Sequence, residues 1–324
     1  MSGVNGQRNN SVVRKQRKVN NYMANDKVQK VPTEAELRLF LKNGMKDLVQ
    51  QVLDIAPDLR LKLEKNGGRF PDEGEWVLVE LLSGASAWLK KFITCDSDMI
   101  EMKEDVKKLA VCNDEVLITG ETGTGKELIA RALHGDREGD FKRINCGAMP
   151  SELIESELFG HVKGAFTGAD NNKTGLLVAA KDGTMFLDEV GDLPYTLQAK
   201  LLNALQPIDG KRFIRPVGSV NEVEINCRIV AATHKDLRQM FECNQFRKDL
   251  YARLSTFEIH ISPLSKRVGD VEPIVRELCA QMGVDYIKVM DGISAKSLNK
   301  TLDLSFNVRS LEQMVKRYRV LGKL

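Results

Sequence analysis

The stretch Gly120-Glu121-Thr122-Gly123-Thr124-Gly125-Lys126 sets three glycines ahead of a lysine at the spacing of a phosphate-binding loop. Glycines let backbone N–H groups turn inward around phosphate oxygens. A following helix N-terminus adds partial positive charge, and Lys126 reaches the outer phosphates. Glu127 stands where a Ser or Thr hydroxyl commonly ligates Mg2+. The run Met185-Phe186-Leu187-Asp188-Glu189 is an apolar strand closing on two carboxylates, which fits a Walker B motif. Asp188 would hold Mg2+, directly or through water, and Glu189 would orient and deprotonate an attacking water. The pair therefore suits hydrolysis of ATP as well as its binding.

Between these motifs, Gly164-Ala165-Phe166-Thr167-Gly168-Ala169 places small residues on both sides of one aromatic and one hydroxyl. Such a segment makes poor helix and poor core. It reads either as a mobile loop tip offering a contact surface or as a glycine-rich turn tucked under the body.

Short apolar runs at 116–119, 143–146, 184–188, 228–232 and 257–261 alternate with helix-length segments. That alternation predicts βαβ crossovers and a five-stranded parallel sheet between helices. The loop then lies at a strand-to-helix turn and Asp188 at a strand end. After Pro263 no strand pattern follows, and 271–282, 295–302 and 308–321 read as helices of a small all-α subdomain at 263–324. Residues 93–262 form the α/β part. Residues 33–92, with apolar positions at three- and four-residue spacing, read as a small helical module able to bind a regulatory partner. Residues 1–32 read as a flexible arm.

The arm carries seven Lys or Arg against Asp26 alone, leaving 41 basic and 44 acidic residues in the rest. A body-wide basic surface is thereby excluded, and any contact with DNA falls to the arm and is non-specific. The longest apolar candidate, 76–89, is broken by Glu80, so no membrane span is expected. The N-terminus has no secretory pattern, which predicts a cytoplasmic protein. The six cysteines lie without a C-x-x-C pair, which argues against a zinc site or a disulfide framework and for reduced, half-buried packing residues.

ESELFGH with KGAFTGA, GETGTGKE, FLDEVGDLP and NVRSLEQ together resemble the bacterial sigma-54-dependent transcription activators, a branch of the AAA+ ATPases. The match runs from about Phe92 to Leu324. The resemblance implies an ATP-hydrolysing AAA+ core with a helical lid, assembled as a homo-oligomeric, hexameric ring. This machine acts on sigma-54 and RNA polymerase holoenzyme through the 164–169 loop. It also accounts for Glu127, since the family carries Glu after the loop lysine.

By the same resemblance, Asn145 is the switch that holds the catalytic glutamate, although an Asn at a strand end also caps turns. Thr233 and His234 are the sensor of the γ-phosphate, and Arg309 is the lid's sensor arginine. Arg247 and Arg253 are a pair of fingers to the neighbouring subunit's nucleotide. Six residues apart, they would diverge by roughly 120° on an ideal helix, so both can face one phosphate only if Arg247 lies at or before the helix start. Ser305 and Phe306 replace a usual Pro-Gly, Ser310 a usual Glu, and Ser265 the first Arg of an L-R-x-R element whose second is Arg267. The family's usual C-terminal helix-turn-helix has no room before Leu324. The alternatives are another AAA+ remodelling ATPase or a nucleotide-binding regulatory adaptor.

Overall fold

The computed structural model describes residues 84–298 and 302–323. The readings made on residues 1–83, the basic arm and most of the helical module, lie outside them. Helices α1 (Gly84–Leu89) and α2 (Ser97–Ala110) precede β1 (Val116–Gly120), α3 (Lys126–His134) and β2 (Phe141–Asn145). Next come α4 (Ser151–Phe159), the short antiparallel pair β3 (Gly160–His161) and β4 (Lys173–Thr174), α5 (Leu176–Ala179) and β5 (Thr184–Asp188). α6 (Tyr195–Leu205) leads to the hairpin β6 (Arg212–Ile214) and β7 (Val223–Ile225), then β8 (Arg228–Thr233), α7 (Leu237–Glu242), α8 (Lys248–Leu254) and β9 (Phe257–Ile261). The chain finishes with α9 (Val271–Met282), α10 (Tyr286–Leu298) and α11 (Val308–Leu321).

The strands predicted from apolar runs form one parallel sheet in the order β2-β5-β8-β1-β9. Alternate residues feed opposite cores, as the two-residue period of a strand requires. Leu117, Leu187, Ile229 and Ala231 pack on one face with α4 and α6. Val116, Ile118, Phe186, Val230 and Ala232 pack on the other with α2 and α3. Both faces being covered, central β8 is buried at every position, Arg228 included. The Arg228 guanidinium donates to the carbonyls of Asp114 and Leu133, and burial pushes its pKa down to about 10.

Residues 84–92, which spacing assigns to the preceding module, belong to the same compact unit as the sheet. Leu89 and Phe92 are buried in the same core as Val116 and Ile129. Cys146, Cys227 and Cys279 are buried, whereas Cys95 and Cys243 are exposed rather than half-buried. No helix among the described residues is long and apolar enough to cross a membrane.

A third core, with Leu264, Val275, Val289, Leu311 and Val315, belongs to the C-terminal helices. Its middle helix corrects the expected 295–302: it runs Tyr286–Leu298, and Leu302 lies outside any helix. Asp291 and Gly292 interrupt the apolar pattern there. Asp285 nevertheless accepts from the Ile287 N–H at 3.0 Å, and Val289 and Ile293, four apart, are buried.

At the start of the lid, Arg267 and Asp270 form a buried ion pair at 2.9 Å, and both partners reach residues outside the lid. Asp270 also accepts from the Cys95 N–H and the Thr94 hydroxyl, both at 2.7 Å. Arg267 donates to Ser262 O and, at 3.4 Å, to Thr124 O inside the glycine loop. Burial would push the Asp270 carboxyl up. The Cys95 N–H, the Thr94 hydroxyl, the Cys95 thiol and Arg267 together hold it below its ordinary 3.8. Asp270→Ala strands a buried guanidinium, so a loss of about 3–5 kcal/mol is expected in urea unfolding at neutral pH. Because the folded pKa is depressed, this contribution is present above pH 3.8 and lost as pH falls through the lower folded value. The stability gap between wild type and variant should therefore close only below about pH 3.8.

Candidate functional site

β1, β2, β5 and β8 end at Gly120, Asn145, Asp188 and Thr233, so parallel pairing gathers these residues at one edge of the sheet. Functional groups of open parallel sheets collect at that edge. A cleft of about 780 Å3 opens there, between the glycine loop and the lid. Lys126, Asn145, Asp188 and Glu189 line it on the sheet side, and Ile274 and Arg309 line it on the lid side.

The loop has the backbone that its glycines permit. Gly123 and Gly125 take φ of 80° and 107°, and Gly125 is the N-cap of α3. A Cβ on Gly123 would stand 2.2 Å from the Phe306 carbonyl oxygen. Asn307, wholly buried with φ 54°, donates from its amide to Glu121 Oε2 at 3.0 Å and Thr122 O at 3.1 Å, and accepts from the Leu264 N–H. Val308 N–H bonds Gly123 O at 3.1 Å. In the place of the family's usual Pro-Gly, the Phe306 N–H donates to the Ser310 hydroxyl, which closes the lid turn.

Each carboxylate of the cleft faces a cation or an N–H of the chain. Lys126 is buried, donates to Gly120 O at 2.8 Å and lies 3.4 Å from Glu189 Oε1. Glu189 has a left-handed backbone, φ 54° and ψ 51°, a conformation that a non-glycine residue holds only where its surroundings impose it. Its other oxygen accepts from the His234 N–H at 3.1 Å and lies 2.6 Å from His234 Nδ1, which must carry the ring proton to face a carboxylate. Asn145 instead accepts from the Gly147 N–H, capping the turn after β2. In this structure Glu189 is therefore held by Lys126 and His234. Thr233 is buried and caps Lys235 N through its hydroxyl.

Spacing did not single out Arg143, which bridges Asp188 Oδ2 at 2.8 Å and Glu127 Oε2 at 2.6 Å. Its position two residues before Asn145, on the same face of β2, was the available signal. Glu127 is also paired with Arg131 at 2.8 Å.

Gly120, Glu121, Thr233 and His234 lie beside the cleft and not in its lining, and so do Arg247, Arg253 and the 164–169 segment. Arg247 is the N-cap of α8 with extended backbone, so the geometric condition for two convergent arginines is met. It pairs with Asp249 at 2.7 Å, and hydrogen bonding to that carboxylate raises its pKa. Arg253 donates to Leu205 O. Its Nε is buried without an acceptor among the described residues, 3.9 Å from Glu115. In the 164–169 segment, Gly164 and Gly168 have positive φ and open space around them. Phe166, 43% exposed, meets His161 edge-on at 5.0 Å, and Ala169 is buried. The segment is thus a surface tip and not a turn under the body.

Residues 92–260 match the family described as the sigma-54 interaction domain. The transcriptional regulatory protein GlrR of Escherichia coli is 39% identical over 235 residues, covering 71% of this chain and 52% of its own length. The response regulator protein PilR of Pseudomonas aeruginosa is 44% identical over 226 residues, 68% of this chain and 49% of the relative. The chain spans about half the length of the curated relatives it matches. Among solved structures, NtrX from Brucella abortus superposes with a TM-score of 0.60 at 26% identity, covering 85% of this chain and 58% of that one. Its complex with ATP superposes at 0.59 and 27%, covering 74% and 53%.

The contact of loop and lid makes a testable claim. Gly123→Ala combines an unfavourable φ with a collision against Phe306 O, so the expected cost is about 1 kcal/mol or more. Faster amide exchange at Val308, which donates to Gly123 O, should accompany the lowered melting temperature. Unchanged exchange at that amide would contradict the contact.

Proposed function

From the premise that the chain belongs to the sigma-54 interaction domain family, we propose that it hydrolyses ATP and spends the energy on remodelling sigma-54 RNA polymerase through the 164–169 loop. The observation that carries this reading is one cleft in which a glycine cradle, Lys126, Asp188 and Glu189 meet. The residues fit the nucleotide. Gly123 and Gly125 have the backbone that wraps phosphate, Ile274 and Leu278 offer an apolar wall for a base, and Arg309 supplies positive charge from the lid. Asp188 would hold Mg2+, which when bound spreads the charge on the phosphoryl oxygens.

Lys126 would turn from Gly120 O and Glu121 O to the outer phosphates. Glu189 would leave His234 and take the proton of the attacking water. Arg247 and Arg253, outside the cleft of their own chain, would complete the cleft of a neighbour in a homo-oligomer. The turn capped by Asn145 leads through the nine-residue α4 into β3 and the 164–169 tip. A rigid helix thereby connects the end of β2 to a surface bearing an exposed Phe166 and Thr167.

Glu189→Gln is expected to keep ATP affinity and lose turnover by about 100-fold or more, because the amide keeps its size but cannot accept the proton. Equilibrium binding of ATP and steady-state phosphate release measure the two effects separately, and wild-type turnover would remove Glu189 as the base.

Thr167→Ala should leave ATP turnover near normal while abolishing binding to sigma-54 in a transition-state-analogue complex and open-promoter formation. Hydrolysis together with a melted-promoter readout decides the matter. Wild-type promoter opening by this variant would favour a remodelling ATPase with another target.

A further inference from the structure

We propose that Arg143 holds the place of the divalent cation at Asp188 and yields it when metal and nucleotide enter; this rests on the cleft being a nucleotide site. Arg143 lies on β2, the edge strand of the sheet, and its side chain is 42% exposed, so it reaches the cleft from the solvent side without supporting the core. Asp188 is largely buried, 14% exposed, at the end of β5. A carboxylate so placed needs a positive partner, and in this structure Arg143 Nη2 supplies it at 2.8 Å.

The guanidinium has a second hold. Nη1 lies 2.6 Å from Glu127 Oε2, while Arg131 binds the other oxygen, Oε1, at 2.8 Å. Arg143 can give up Asp188 and stay bound to Glu127. Glu127 keeps Arg131 throughout and is never left uncompensated. Both charges that Arg143 touches thus have an alternative partner once a metal binds, and the exchange strands no buried group. Arg143 is a positioning residue: it keeps Asp188 in place before loading and sets the metal concentration at which loading occurs.

The test uses the full chain, with ADP present and Mn2+ as the metal probe, followed by electron paramagnetic resonance. Arg143→Ala should bind Mn2+ about fivefold more tightly, the scale of one partly exposed ion pair. Arg143→Lys keeps the charge but cannot fork to two carboxylates, so it should move towards the Ala variant. Wild-type affinity in the Lys variant would mean simple charge repulsion and would overturn the exchange. Melting temperatures supply a second reading. Arg143→Ala should lower the midpoint in EDTA and lower it less with ADP and Mn2+, because loading replaces the lost partner.

Unchanged or weaker Mn2+ binding by Arg143→Ala overturns the proposal. So does a tenfold loss of ADP affinity in EDTA, which would make Arg143 a phosphate ligand. A wild-type protein that binds no nucleotide fails the site reading itself, whereas one that binds nucleotide with Mn2+ affinity indifferent to Arg143 fails only this inference. Should the Ala variant not fold, Arg143→Gln serves the same comparison.

Discussion

A parallel sheet covered on both faces can place a polar group that must meet a ligand only at its rim. In this chain the rule applies to every central strand: β8 is buried throughout, and β1 and β5 are buried except near their ends. Gly120, Asn145, Asp188 and Thr233 are the residues at which four neighbouring strands emerge from that core. The polar ends of the strands therefore collect along one rim.

The rim alone does not make a cleft, and the lid supplies the other wall through a few buried polar contacts. Asn307 reaches Glu121 and Thr122 of the glycine loop, while Arg267 reaches Thr124 from the other side. Hydrogen bonds between buried groups are costly to lose, so the loop and the lid turn hold one another's shape. Glycine at position 123 is required twice over, by its positive φ and by the proximity of Phe306 O. At the turn before Arg309, the Ser310 hydroxyl takes the Phe306 N–H.

In and beside the cleft the pattern is one of matched charge. Lys126 and His234 face Glu189, and Arg143 faces Asp188 and Glu127. The charges named are internally satisfied. Asn145 is engaged with the turn after its own strand. In this conformation the restraint on Glu189 therefore comes from the start of α3 and the end of β8, and not from β2.

The sequence determined by itself which residues could do the chemistry and which strands would carry them. The glycine loop, the Asp188-Glu189 strand end and the five apolar runs are local patterns, and local spacing fixes strand period and turn glycines. The helix Tyr286–Leu298 starts before the segment that its spacing marks, because Asp291 and Gly292 break its apolar rhythm and its burial depends on neighbours the pattern does not contain. Only the tertiary structure decided which cation holds which carboxylate and which lid residue closes on the loop. Asn307 and Glu121 are 186 residues apart, and Arg143 and Asp188 are 45 apart. The packing of sheet and lid brings such pairs together, and no periodicity within a segment encodes a partner at that separation.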